Sequence, residues 1–299
     1  MAADSCTGVR CCNICTDDGC LVGEIMKKRQ IIELTAILLA LVACVVVFEV
    51  LPRVKKSYPS IAGDDEYRMP FSAWGVNGHA QGACSDGTYV WWSCGDLIAK
   101  STVDNPDWEN PLAINDHART DGTPSDQING ICLHDGYIYA AAPTFTDGNV
   151  DFYVKWYDMD TLVFAGEQQL SWTGGADTQE GISWSNGYWW VCYYDAGYVT
   201  KYTVDWVDEG NYNLPGNPKQ IQGLDWVNDQ LWVTTSATSN ITVYTFNDGK
   251  FSRIGEMNMP GALGNEQSFG VTPDEKYLWI AGFTKDSQWE LLFKLELKW

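Results

Sequence analysis

Glu180 is the one acid among five residues that each stand directly before a recurring glycine. It precedes Gly181; Gln81, Asn129, Gln222 and Phe269 precede Gly82, Gly130, Gly223 and Gly270. Two positions upstream of these five stand His79, Gln127, Thr178, Gln220 and Gln267. On an extended strand, residues two apart share a face, so the spacing predicts two rings of side chains. Nearly every member offers oxygen, and amides dominate. Three roles fit that set. The amides bond neighbouring strands and water, as structure. Or they line a pocket for a small polar ligand or glycan, with His79, Gln81, Gln127, Gln222 and Gln267 as its hydrogen-bonding members. Or Glu180 and amide oxygens hold a hard cation such as Ca2+. One carboxylate is few for calcium, so such a site would be weak.

The elements that must position these residues show as a repeat. Aligned on the glycine, five segments fall together: "AQGACSDGTYVWW", "INGICLHDGYIYA", "QEGISWSNGYWWV", "IQGLDWVNDQLWV" and "SFGVTPDEKYLWI". The glycines are 48, 51, 42 and 47 residues apart. Nine residues after each stands Trp91, Tyr139, Trp190, Trp232 or Trp279. A short strand follows each glycine, and Asp86-Gly87, Asp135-Gly136 and Asn186-Gly187 mark tight turns. His134, beside one of these turns, is expected to be exposed. A third strand is predicted at 97–104, 152–160, 198–205, 241–248 and 289–297.

Repeats of this length, with three or four strands each, predict an all-β fold, a five-bladed β-propeller. Six blades remain if 57–78 and 103–125 hide a degenerate copy. The last repeat ends at Trp299 after its third strand, so its fourth is expected from the N-terminal side, in "RMPFSAWGV" (68–76). The alternating aromatics are expected to fill the wedges between blades. Trp92 and Trp189, next to Trp91 and Trp190, should pack on the opposite sides of their blades.

With Lys+Arg 19 against Asp+Glu 39, the net charge is −20, and no basic face for nucleic acid exists. Residues 31–51, "IIELTAILLALVACVVVFEVL", are long enough at about 1.5 Å per residue to cross a bilayer core of roughly 30 Å. They are read as a single-pass anchor. The expected order is a cytoplasmic tail (1–30), the transmembrane helix (31–51), a stalk (52–64) and the propeller (65–299), extracellular or lumenal. Asn240-Ile241-Thr242 is a glycosylation sequon at Asn240. Cys11 and Cys12, among five cysteines of the tail, are candidates for lipidation. The four propeller cysteines fit free thiols or disulfides equally. No G-x-S-x-G, P-loop, H-E-x-x-H or EF-hand pattern occurs.

"EGISWSNGYWWVCYYDAGYVTKY" resembles a blade of the gluconolactonase, strictosidine synthase and paraoxonase superfamily. That resemblance implies a central divalent cation, with Glu180 matching the acid of its "EG" and Asn129 of "INGI" matching its asparagine. The family is generally six-bladed, and its further Asn/Asp ligands and a His pair have no clear counterpart here. "IQGLDWVNDQLWVTTS" (221–236) is similar to blades of the five-bladed, plant-type glutamine cyclotransferases. Two functions are therefore expected: extracytoplasmic binding of a small polar ligand, glycan or protein at the channel mouth, or a cation-dependent, lactonase- or esterase-like hydrolase with His79 as base.

Overall fold

The computed structural model describes residues 58–70, 79–107, 110–146, 149–171, 178–259, 263–284 and 289–299. Among the described residues, twenty strands form five four-stranded antiparallel sheets. After β1 (Ser60–Pro70), the first sheet holds β2 (Ala80–Ser85), β3 (Tyr89–Cys94), β4 (Leu97–Thr102) and β5 (Ala113–Asn115). The second holds β6 (Ile131–His134), β7 (Tyr137–Thr146), β8 (Asn149–Asp158) and β9 (Phe164–Gln169). The third holds β10 (Gln179–Ser185), β11 (Tyr188–Tyr193), β12 (Tyr198–Thr203) and β13 (Asp208–Asn213). The fourth holds β14 (Ile221–Val227), β15 (Gln230–Thr235), β16 (Thr238–Asn247) and β17 (Lys250–Asn258). The fifth holds β18 (Leu263–Val271), β19 (Tyr277–Thr284) and β20 (Trp289–Lys298), and β1 completes it by pairing with β20. Among its described residues, the stretch 103–125 supplies the outer strand of the first sheet and no sixth blade.

The closing strand is Ser60–Pro70, which begins earlier than the expected 68–76 and takes in the end of the expected stalk. The reason is compositional. An outer blade strand has one solvated face, so "SIAGDDEYRMP" reads as polar linker. β1 covers the outer edge of β20 with a polar strand and ties the N-terminal side to the C-terminal strand. A chain lacking residues 1–72 should therefore unfold at a markedly lower temperature than one lacking 1–56, as thermal unfolding will show.

Each repeat glycine lies where neighbouring inner strands nearly touch. A Cβ on Gly82 would stand 2.9 Å from the Ile131 nitrogen, on Gly181 3.1 Å from the Gly223 Cα, on Gly223 2.5 Å from the Ser268 Cα and on Gly270 3.0 Å from the Cys84 Cα. On Gly130 it would stand 2.7 Å from the Glu180 carbonyl oxygen. The contacts run from each blade to the next and back to the first. The repeat glycine is a close-approach residue around a five-fold ring.

Five apolar clusters fill the five interfaces between blades. Trp91 serves the first and second blades, Trp190 the third and fourth, Trp232 the fourth and fifth, and Trp279 the fifth and first. Tyr139 packs against the cluster between the second and third. Trp92 and Trp189 join the clusters on the other sides of their blades. Fully burying side chains of this size contributes about 3 kcal/mol each, which explains an aromatic at one offset in all five repeats. A lysine on the third strand faces this aromatic in three blades: Trp91 pairs with Lys100, Trp190 with Lys201 and Trp279 with Lys294. Each ammonium also sits over the tyrosine two residues before the tryptophan, at 4.2, 3.3 and 4.5 Å from the ring centroid.

Candidate functional site

All five inner strands run the same way along the axis, so the residues preceding the glycines gather at one end of the channel. β1 begins at the other end, where Ser60 pairs with Lys298.

Simple alternation does not hold there. The strand pairing shifts between Ala80 and Gly82, between Gln179 and Gly181, and between Ile221 and Gly223. Gln81, Glu180 and Gln222 are therefore the extra residues of three β-bulges, which re-aim the side chains around them. In the fifth blade the shift spans Glu266 to Phe269. As a result Phe269 leaves the ring and packs in the apolar core. Ser268 takes the axis instead, against both Gly130 and Gly223.

Glu180 is buried, and loss of hydration raises its carboxyl from 4.5 to about 8, while the neighbouring Thr178 hydroxyl pulls the other way. Around it lies a buried polar cluster. Asn129 donates through Nδ2 to the Gln179 carbonyl at 2.5 Å, and its Oδ1 has no partner. Gln179 is fully buried, with neither amide atom paired, and the Ser268 hydroxyl is likewise unpaired. Gln222 and Gln267 are buried; Gln81 and Gln127 are half-buried towards the mouth. Gln220 accepts from the Ser236 hydroxyl at 3.3 Å. Unpaired buried groups of this kind are rare in native proteins and mark places for water or ligand.

His79 stands at the rim. Its Nδ1 lies 3.2 Å from Glu290 Oε1, and its ring stacks on Phe283 with centroids 4.2 Å apart. The other Glu290 oxygen accepts from the Ala80 nitrogen at 2.5 Å. Glu290 is buried and fixes the imidazole, leaving Nε2 directed away from the carboxylate. Sequence reasoning missed Glu290, Gln179 and Ser268. A signal existed for the first, since Glu290 interrupts an otherwise apolar strand start, "WELLF".

Among the described residues, no three or more His, Cys, Asp or Glu side chains are grouped to hold a metal ion. Cys84, Cys94, Cys132 and Cys192 are buried free thiols. Asn240 is half-buried near the start of β16, opposite Asn258. Cys11, Cys12 and the apolar segment 31–51 lie outside the described residues. Among those described, no helix is long and apolar enough to cross a membrane.

No protein-family model matches the chain, and no curated protein matches it in sequence. Solved structures do. The glutaminyl cyclase of Myxococcus xanthus aligns over 80% of this chain and 97% of its own, with 13% identity and a TM-score of 0.55. Virginiamycin B lyase from Staphylococcus aureus aligns over 77% of this chain and 74% of its own, with 14% identity and a TM-score of 0.44. The chain is a five-bladed β-propeller. At 13% identity the likeness to the Myxococcus xanthus protein supports the fold alone and leaves the chemistry to the site. The propeller inherits from its repeat a ring of similar positions, and the bulges make those positions differ.

Proposed function

We propose that the strand-start mouth of the propeller binds a small polar ligand bearing an amide or hydroxyls, with Glu180 as its proton-exchanging group. The observation that supports this reading is the set of unpaired buried atoms, Asn129 Oδ1, both amide atoms of Gln179 and Ser268 Oγ, beside a carboxyl that keeps its proton to about pH 8. Amides offer paired donors and acceptors, which suit a carboxamide or a glycan better than an ion. The site is carried on a single membrane helix at 31–51, with the propeller extracellular or lumenal, Asn240 glycosylated, and Cys11 and Cys12 lipidated on the cytoplasmic side.

The name of the Myxococcus xanthus protein suggests one reaction for such a site. The α-amine of an N-terminal glutamine attacks the side-chain carboxamide carbon, a C–N bond closes the ring, and ammonia leaves. Glu180 would give its proton to the departing ammonia and regain one from the attacking amine. Glutaminyl-glycine tests both levels in one experiment with the full-length protein. Saturable binding, weakened about tenfold by Glu180→Gln or Gln222→Ala, supports the site. Ammonia release above the buffer rate, lost in Glu180→Gln, adds the cyclisation. Binding without release leaves a recognition module. No binding, or binding indifferent to both substitutions, contradicts the site.

The second reading is a divalent-cation-dependent, lactonase- or esterase-like hydrolase, with Glu180 and Asn129 as ligands to Ca2+ and His79 as base. The free Asn129 Oδ1 favours it. A bound cation would polarise the substrate carbonyl. Calcium would have to displace the Glu180 proton, so its stabilising effect should be larger at about pH 9 than at about pH 6. Thermal unfolding with and without Ca2+ checks this. An effect equal at both pH values, or one that survives Glu180→Gln, removes this reading.

A further inference from the structure

The opposite, strand-end mouth holds a cavity of about 370 Å³ that the function proposed above does not use. Its floor is built by the residues two after the repeat glycines. Cys84, Cys132, Ser183 and Asp225 hold that position in four successive blades, and in the fifth Val271, one after its glycine, closes the ring. These are small side chains, so the axis that Ser268 and the glycines close in the middle opens again here. Asp225 is the tie between blades. Its Oδ1 accepts from the Ser183 hydroxyl and the Trp226 nitrogen, both at 2.8 Å, and its Oδ2 from the Val271 nitrogen at 3.0 Å. Those donors hold the carboxylate against burial, which raises it only to about 6, so it is mainly ionised at neutral pH.

One wall is aromatic. His134 is not the exposed turn residue that its neighbours Asp135-Gly136 imply. It is half-buried, stacked on Trp184 with centroids 4.0 Å apart and edge-on to Trp189 at 5.2 Å. Burial lowers its pKa, while Asp135 opposes that shift, so the ring is mainly neutral at pH 7. Asp86 and Asp135 also line the cavity, and among the described residues its lining has no lysine or arginine. The cavity therefore joins three carboxylates to an aromatic face and two free thiols, with no cation of its own. Its acids are not grouped to hold a metal. An electronegative recess with an aromatic wall attracts an organic cation through Coulombic and ring-quadrupole terms together.

We propose that the strand-end cavity is a second binding site, for a small protonated amine with an apolar or aromatic body, whose ammonium meets the Asp225 carboxylate and whose body lies on Trp184. Phenethylamine and its uncharged counterpart phenylethanol probe it by calorimetric titration of the full-length protein. The amine is expected to bind saturably, and the alcohol about tenfold or more weaker. Asp225→Asn and Trp184→Ala should each weaken the amine, and affinity should fall below about pH 6 as Asp225 takes a proton. Asp225→Asn also removes a tie between blades, so Asp135→Asn, at an exposed position, serves as the variant whose fold is secure. It should weaken the amine by about threefold through the lost charge. Glu180→Gln should leave amine binding unchanged, which separates this site from the strand-start mouth. Equal binding of amine and alcohol overturns the proposal. So does an affinity untouched by Asp135→Asn, or one abolished by Glu180→Gln.

Discussion

Glu180→Gln is expected to stabilise the propeller at pH 8 by about 4 kcal/mol while changing it little near pH 4.5. The sign follows from proton counting. In the unfolded chain the carboxyl releases its proton near 4.5; in the folded chain it does so near 8. Between these values the folded state binds more protons, so stability falls as pH rises through the window. Below about 4.5 the wild type keeps its full stability, and above about 8 it has lost the whole contribution. Glutamine copies the shape of the protonated acid without the charge, so the variant should lack this slope. Denaturant unfolding at a series of pH values checks it. Parallel curves for the two proteins would mean that Glu180 meets water or a cation that the buried cluster does not reveal.

Gly223→Ala is expected to cost about 3 kcal/mol or more. Its new methyl would stand 2.5 Å from the Ser268 Cα, a backbone atom that cannot swing aside. The only relief is to push the fourth and fifth blades apart, which loosens the cluster holding Trp232 and Phe269. Gly187→Ala is the control. That glycine has a positive φ of 82° but nothing within 4 Å of a new Cβ, so only backbone strain of about 1 kcal/mol is expected. Chemical denaturation of both variants measures the difference. A Gly223→Ala loss no larger than that of Gly187→Ala would contradict the close-approach role of the repeat glycines.

The architecture was legible in the sequence because one geometric demand recurs five times. Inner strands that nearly touch demand glycine, and wedge-shaped gaps demand a large aromatic nine residues later. The turns were legible for a similar reason. Asp135-Gly136 and Asn186-Gly187 have the positive φ at both residues that their sequences advertise, and Asn228-Asp229 adopts it without a glycine. The closing strand was harder to place, since the polar β1 lacks the apolar alternation of an inner strand.

The site was legible in its residues but not in its arrangement. Glu180, Asn129, Gln222 and Gln267 are all buried, in or just before inner strands. Counting by twos, however, placed Phe269 among them and passed over Gln179 and Ser268. Three β-bulges and the shift in β18 break that count, and no turn residue announces a bulge inside a strand. Glu290 lies 211 residues from His79 and meets it only because the fifth blade closes against the first. No local pattern carries such a contact. Asp225 was hidden in the same way: its three donors come from three blades, and only the ring brings them together.

The most direct test of the central claim is a carbon-detected magnetic-resonance titration of the glutamate carboxyls in the wild type and in Glu180→Gln. One carboxyl should titrate near pH 8 in the wild type, and that signal should be missing from the variant. It should also shift when glutaminyl-glycine is added. A wild-type protein in which every glutamate titrates near its ordinary range of about 4 to 5 would contradict a buried, proton-carrying Glu180 at the mouth of the propeller.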